Sequence, residues 1–358
     1  MGIRGSGGAI ADVRERVLIT GAAGFLGEHL GPALLRAGDT VRLLDRAGAP
    51  GWAVAAALDH VEGDVRDVAT VARALDGVDA VIHAAFASPR VPASVIRAVN
   101  EGGTRVLVAA ARKAGVRRFV LVSSTIVLMR PRGHPVWPRS PAGRLELYRR
   151  TRIAAEQLAA SHARPGFVVS IARPATFLGP GRVAAFALLF EMIRRGAAVP
   201  VFGSGRARYQ LLDVRDLADG LCRLAHHERG GVFVLGAREV DSVRAELEAL
   251  IAHAGTGARL RPLPSRPASA FLRALELAGL VPLSEWHQHT ARERDWVLDV
   301  ALAERELAWY PRSNRQVLSD AYDWYAGCRS AGAAAPTNPV PRAHRALCRL
   351  AAALGPRR

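Results

Sequence analysis

Val17-Leu18-Ile19-Thr20-Gly21-Ala22-Ala23-Gly24-Phe25-Leu26-Gly27 is the stretch that decides the fold. Its first four residues read as a buried strand. Three glycines then punctuate a turn that opens an amphipathic helix over Leu26 to Ala37. In a strand, turn and helix of this kind, glycine lets the backbone approach a diphosphate closely, and free N–H groups at the helix start attract its charge. Glycine spacing alone is weak evidence, because turns use glycine everywhere. Here a second run, Thr40 to Asp45, ends on a carboxylate placed to take both ribose hydroxyls of an adenosine. The reading is therefore a dinucleotide site built from Gly21, Ala23, Gly24, Phe25, Leu26, Gly27 and Asp45. NAD is expected over NADP, since Asp45 would repel a 2′-phosphate, although Arg46 next to it could greet one.

Outward from this loop, β-rich runs alternate with helical stretches as far as Arg173. Beyond the first two, the runs are His60 to Asp64, Ala80 to His83, Phe119 to Ser124 and Phe167 to Arg173, with helical patterns over Val68 to Leu75, Ala93 to Ala114 and Glu146 to Ala160. This is an α/β pattern, a Rossmann-type doubly wound parallel sheet of six strands. After Arg173, Gly179-Pro180-Gly181, Gly203-Ser204-Gly205 and Pro262 to Pro267 break the pattern, which predicts a smaller C-terminal α/β substrate lobe. The expected organisation is a flexible 1–14, a cofactor domain 15–173, a substrate lobe 174–330 whose segment 213–235 returns to the first domain, and a linker with a basic amphipathic tail over 331–358.

The net charge of +17 could advertise nucleic acid, but Lys113 is the only lysine and the arginines are scattered rather than striped. No nucleic-acid partner is expected. The longest apolar candidate, Val183 to Val201, is interrupted by Glu191, Arg194 and Arg195, so no membrane span is expected, and residues 1–14 lack the apolar core of a secretory signal. A cytoplasmic location follows as the expectation. Cys222, Cys328 and Cys348 are widely spaced and suggest neither a disulfide frame nor a zinc site.

Further segments resemble the extended short-chain dehydrogenase/reductase family, in its NAD-dependent epimerase/dehydratase branch, from Val17 to about Tyr325. Gly63-Asp64-Val65-Arg66-Asp67 is similar to its adenine-side motif and His83-Ala84-Ala85 to the segment lining the cofactor after the fourth strand. Asn100 with Gly103-Thr104, Arg173-Pro174 through Gly179-Pro180-Gly181, Asp213 to Asp219 and Asp299 to Trp309 continue the branch's order. The resemblance implies that Asp64, Val65, His83, Ala84, Ala85, Asn100, Ser123, Arg173 and Pro174 lie around the cofactor.

It also implies the chemistry. Tyr148 and Arg152 share a helix face at i and i+4, and Ser123-Ser124-Thr125 closes the fifth strand. In the family a Ser or Thr there, by position Thr125 with Ser124 as substitute, hydrogen-bonds the substrate oxygen, and the Tyr moves the hydroxyl proton. A free phenol with a pKa of ~10 is a poor base unless positive charge favours phenolate. The family cation at the position of Arg152 is lysine, which holds the nicotinamide ribose; arginine keeps the charge in a wider fork. The sequence therefore admits a cofactor-binding pseudoenzyme beside an active enzyme. Ile126-Val127 stand where a sugar-nucleotide dehydratase of the family would carry Asp-Glu, which disfavours dehydration. The expected activity is epimerisation of a nucleotide sugar through a keto intermediate, with a sterol-type or other alcohol dehydrogenase as the alternative. Arg182, Arg208 and Arg292 are candidate grips for the nucleotide diphosphate, and Thr176 stands nearest the place of the family's sugar-nucleotide Asn. A homodimer is the expected assembly.

Overall fold

The computed structural model describes residues 14–129, 141–183, 186–264 and 293–331. Seven strands, all parallel, make the main sheet: β1 (Arg16–Thr20), β2 (Thr40–Asp45), β3 (Asp59–Glu62), β4 (Ala80–His83), β5 (Arg118–Val122), β6 (Val168–Pro174) and a late strand, Gly231–Leu235. Their spatial order is late strand, β6, β5, β4, β1, β2, β3. The chain first winds outward from β1 through β2 to β3, then crosses back to β4 and winds the other way. Its direction therefore reverses between β1 and β4, which opens a crevice beyond their carboxyl ends.

Successive residues of β1 face opposite sides. Val17 and Ile19 pack with Leu30 and Leu34, whereas Leu18 packs with Leu107 and Phe119, and all three are fully buried. Burial on both faces is why this strand is apolar throughout instead of alternating. One face is covered by α1 (Gly27–Arg36), with the short α2 (Gly51–Ala55) packed beside it. The other is covered by α3 (Val68–Ala74), by α4 (Ala93–Arg97) running through a π-turn (Ala98–Gly103) into α5 (Thr104–Lys113), and by α6 (Pro141–Ala160).

The second half builds its own core from β7 (Thr176–Leu178), α7 (Ala187–Arg194), β8 (Ala198–Phe202) and β9 (Leu211–Asp213). Next comes α8 (Val214–His226), and the late strand Gly231–Leu235 is β10. After these follow α9 (Val243–Ala254), β11 (Arg259–Leu263), α10 (Ala301–Leu307) and α11 (Asn314–Ser330). Two parallel pairs, β7 with β9 and β8 with β11, serve this half.

Two features differ from the sequence expectation. The sheet has seven strands, because β10 joins the edge beside β6 while α8 packs on α1. The single helix read over Ala93 to Ala114 is interrupted by the π-turn. There Asn100 is fully buried, and a side chain on Gly103 would crowd Val65 Cγ2 at 2.7 Å. The expected flexible N-terminus and basic tail lie outside the described residues, apart from Arg14 and Ala331.

Candidate active site

The glycine loop is held by close backbone contact. Gly21, at φ +75°, donates to the Leu44 carbonyl at 3.0 Å, and a Cβ there would come within 2.9 Å of the Ala84 carbonyl and Ala85 Cα. A Cβ on Gly27 would overlap the Ala22 carbonyl, so the first turn of α1 can only start on glycine. The Gly24 N–H turns back to the Gly21 carbonyl at 3.1 Å. From the end of β2, Asp45 accepts the N–H of Ala23 and that of Ala47, each at 3.0 Å, which pins the loop to the strand that carries the carboxylate. Such a cradle fits a dinucleotide: glycine where a phosphate must approach, and an acid at the next strand end for a ribose. Arg46 is exposed beside it. Asp64 is tied to Arg66 within its own turn, a hydrogen bond that holds its carboxyl below the usual range. The Val65 side chain is buried under Gly103.

Across the crevice, β5 ends at Val122 and Ser123 donates its N–H to the Ala172 carbonyl at 2.7 Å. Ser124 then caps a one-turn 3₁₀ helix (Thr125–Leu128) by accepting the Ile126 N–H at 3.3 Å; this turn packs against α6, and Thr125 in it is almost fully buried. On α6 the basic run divides by face. Arg149 and Arg150 turn to Glu146, while Arg152 points inward and is 8% exposed. Its Nη1 donates to the Val122 carbonyl at 2.6 Å and its Nη2 to the Tyr148 hydroxyl oxygen at 2.5 Å. The guanidinium carbon sits 3.7 Å from the centroid of the Phe86 ring. Thus the family-departing arginine is clamped between a carbonyl and an aromatic face, and its free edge is delivered to the phenol oxygen.

A polar chain runs behind these groups. His83 is fully buried between Thr20 Oγ1 (2.8 Å to Nδ1) and Thr104 Oγ1 (3.0 Å to Nε2). Thr104 spends its proton on the Asn100 carbonyl at 2.7 Å, so His83 Nε2–H must be the donor and Nδ1 must accept from Thr20. The Ala85 N–H completes the chain at Thr20 Oγ1. Burial first, and Arg152 second, push the imidazole down to about 3, so it is neutral. Asn100 joins this chain to α6. Its Oδ1 accepts the Ala87 N–H at 2.8 Å, and its Nδ2 donates to Thr151 Oγ1 at 3.0 Å, which in turn bonds the Tyr148 carbonyl.

The crevice thus gathers the glycine loop, Asp45, Ala84, Ala85, Asn100, Ser123, Thr125, Tyr148 and Arg152. Arg173 is committed to Glu156 of α6 and ties that helix to β6, which ends at Pro174. In the second half, Thr176 pairs with the Tyr209 hydroxyl at 2.8 Å, and Arg208 is held on the exposed Asp295. Of the two candidate arginines among the described residues, Arg182 reaches the crevice, against the Phe25 and Phe177 rings; Arg292 lies outside the described residues. Sequence reading missed Phe86 and Thr151, and it quoted Thr20 and Thr104 only within motifs. The one available signal was the aromatic directly after His83-Ala84-Ala85.

Comparison with known proteins gives the family and the fold. Residues 17–236 match the NAD dependent epimerase/dehydratase family. An uncharacterised protein of Sinorhizobium fredii is 33% identical over 320 residues, covering 88% of this chain and 80% of its own length. A 3 beta-hydroxysteroid dehydrogenase/Delta 5→4-isomerase of Mycobacterium tuberculosis is 35% identical over 226 residues, 59% of this chain and 60% of that enzyme. Among solved structures, the dTDP-glucose 4,6-dehydratase DesIV of Streptomyces venezuelae, with NAD and TYD bound, superposes with a TM-score of 0.63 at 26% identity. That match covers 88% of this chain and 98% of DesIV.

Proposed function

The chain belongs to the NAD-dependent epimerase/dehydratase family, and on that premise we propose that it oxidises a secondary alcohol to a ketone and re-reduces it in place, as an epimerase of a nucleotide sugar. The observation that carries the catalytic part is the 2.5 Å contact from Arg152 Nη2 to the Tyr148 oxygen. A guanidinium N–H aimed at that atom is the partner a phenolate accepts, so Tyr148 is furnished to take the substrate's hydroxyl proton and later to return it. Thr125 donates to the same substrate oxygen from the end of β5. Gly21, Gly24, Gly27 and Asp45 would hold NAD, which supplies the hydride acceptor and donor when bound. The Val122 carbonyl and Phe86 keep Arg152 in place, which favours an active enzyme over a pseudoenzyme. Ile126 and Val127 are buried apolar residues, so no second acid and base follows Thr125 and dehydration is not supported.

The nucleotide-sugar part rests on DesIV, an enzyme named for a dTDP-sugar. A second reading, net oxidation of a free alcohol, draws on the hydroxysteroid dehydrogenase relative and on Arg208 being occupied by Asp295. Incubation with a panel of nucleotide sugars and of hydroxysteroids, with product analysis and NADH absorbance, separates them. Epimer without net NADH supports the epimerase, whereas net NADH from a steroid supports the dehydrogenase. No product from any member, in a protein that binds NAD, would overturn both.

A further inference from the structure

The start of α1, toward which a dinucleotide's diphosphate is drawn, is spanned from the other side of the crevice. Leu26, the cap residue, offers the helix N–H groups no side-chain acceptor, so their charge is open to an anion. Directly after Gly24, the Phe25 ring stacks on Phe177 of β7, with centroids 5.9 Å apart and planes within 3°. One helical turn on, His29 meets Phe25 edge-on at 5.4 Å, and its Nε2 lies 2.9 Å from the Pro180 carbonyl oxygen. A carbonyl only accepts, so Nε2 carries the proton and donates. Pro180 stands in a turn closed on itself, by the Gly179 N–H to the Arg182 carbonyl at 3.1 Å and the Arg182 N–H to the Gly179 carbonyl at 3.0 Å. The Arg182 guanidinium then covers both rings, 5.2 Å from the Phe25 centroid and 5.6 Å from that of Phe177. Gly181, at φ +93°, lies so near α1 that a Cβ on it would come 3.4 Å from the Phe25 ring. Phe177 to Arg182 thus sit on the first turn of α1 as one piece.

We propose that this clasp of Phe177 to Arg182 on Phe25 and His29 is the gate for the dinucleotide: it parts for NAD to reach the start of α1 and closes again behind it. The two halves share their packing through α8 and β10, so swinging one half away would break the main sheet's cover. The motion that remains is a local lift of the turn. A gate of this kind slows entry and exit alike, because both wait for the open form, and it prolongs the stay of NAD without strengthening its binding. Long residence suits a reaction that oxidises and re-reduces in place, as read above, better than one that exchanges NAD at every turnover. The inference itself rests on NAD binding at the glycine loop and not on the identity of the substrate.

The probe is NADH. Stopped-flow fluorescence gives its association rate with the full-length protein, and a chase with excess NAD gives its dissociation rate. Phe177→Leu removes the ring stacked on Phe25 and under Arg182, and both rates are expected to rise about tenfold. His29→Ala removes the donor at Pro180 and should raise both severalfold, whereas His29→Gln keeps a donor and should stay nearer the wild type. The ratio of the two rates, which is the dissociation constant, should change by less than about threefold in each variant. Faster dissociation with association unchanged would make Phe177 and His29 ordinary cofactor contacts and overturn the gate. Wild-type rates in both Phe177→Leu and His29→Ala would overturn it as well. No turnover is read, so a failure of the catalytic proposal leaves this outcome untouched.

Discussion

Arg152 needs more support than a lysine would, and the structure shows where it comes from. A lysine carries a compact charge on a flexible stem, whereas a guanidinium must be fixed in plane to present one edge. The Val122 carbonyl and Phe86 ring do this, at 2.6 and 3.7 Å. Phe86→Leu is therefore expected to lower kcat about tenfold through loss of a partly buried cation–π contact, with NAD affinity little changed. In an Arg152→Lys background the same Phe86 change should matter much less, and a double-mutant cycle on kcat measures this; equal losses in both backgrounds would sink the clamp. Arg152→Ala removes the donor at the Tyr148 oxygen and should lower kcat at least tenfold, which steady-state kinetics can check. Tyr148→Phe should abolish turnover while sparing NAD binding, which steady-state kinetics beside calorimetry can check. Much at this scale was legible in the sequence. Gly21, Gly27 and Asp45 stand out by their spacing around the first two strands, whereas Thr125 and Tyr148 are read only through the family resemblance. The Phe86 contact with Arg152 was not legible, because a contact between a loop after β4 and a helix after β5 leaves no period in the chain.

At the scale of elements, the π-turn at Ala98–Gly103 shows why. Apolar periodicity runs through Ala93 to Ala114 without a break, so it reads as one helix. The interruption is imposed from outside, by Asn100 reaching both Ala87 and Thr151 and by Gly103 lying against Val65. Rare π-turns concentrate at functional sites because they redirect a side chain. β10 escaped for a different reason: its run Val232-Phe233-Val234-Leu235 is apolar, but nothing local says that it pairs with β6, far back in the chain. His83 gives this layer a measurable property. Its folded value near 3 lies below the ordinary 6.5, so the unfolded chain takes up a proton first, and stability present above pH 6.5 is lost as pH falls toward 3. One such proton gives a slope of about 1.4 kcal/mol per pH unit. Urea unfolding between pH 6 and 5 should show that slope, and His83→Asn should flatten it whatever its own stability. An unchanged slope in the variant would contradict the buried neutral imidazole.

On the scale of the whole molecule, the two halves are not separable in sequence. α8 and β10, which follow β7 to β9 of the second half, complete the packing of the main sheet. Trp309, near the end of the described chain, bonds the Asp216 carbonyl of α8 at 3.0 Å, and the Arg312 guanidinium pairs with the Asp216 carboxylate. A molecule interleaved in this way should unfold as one unit, so a ligand bound to the glycine loop should raise the transition of the entire chain. At a hundred times its dissociation constant, NAD should add about 2.7 kcal/mol. NADP at the same concentration, if bound tenfold more weakly because Asp45 repels the 2′-phosphate, should add only about 1.4 kcal/mol. Scanning calorimetry should then show a single transition moved further by NAD than by NADP. In Asp45→Ala the carboxylate that favours NAD is gone, and the Ala23 and Ala47 N–H groups lose their acceptor. Its ligand-free transition should fall, and the NAD and NADP shifts should become nearly equal. Two transitions, only the first responding to NAD, would show that the halves unfold independently; a larger shift with NADP in the unmodified protein would remove Asp45 from its role.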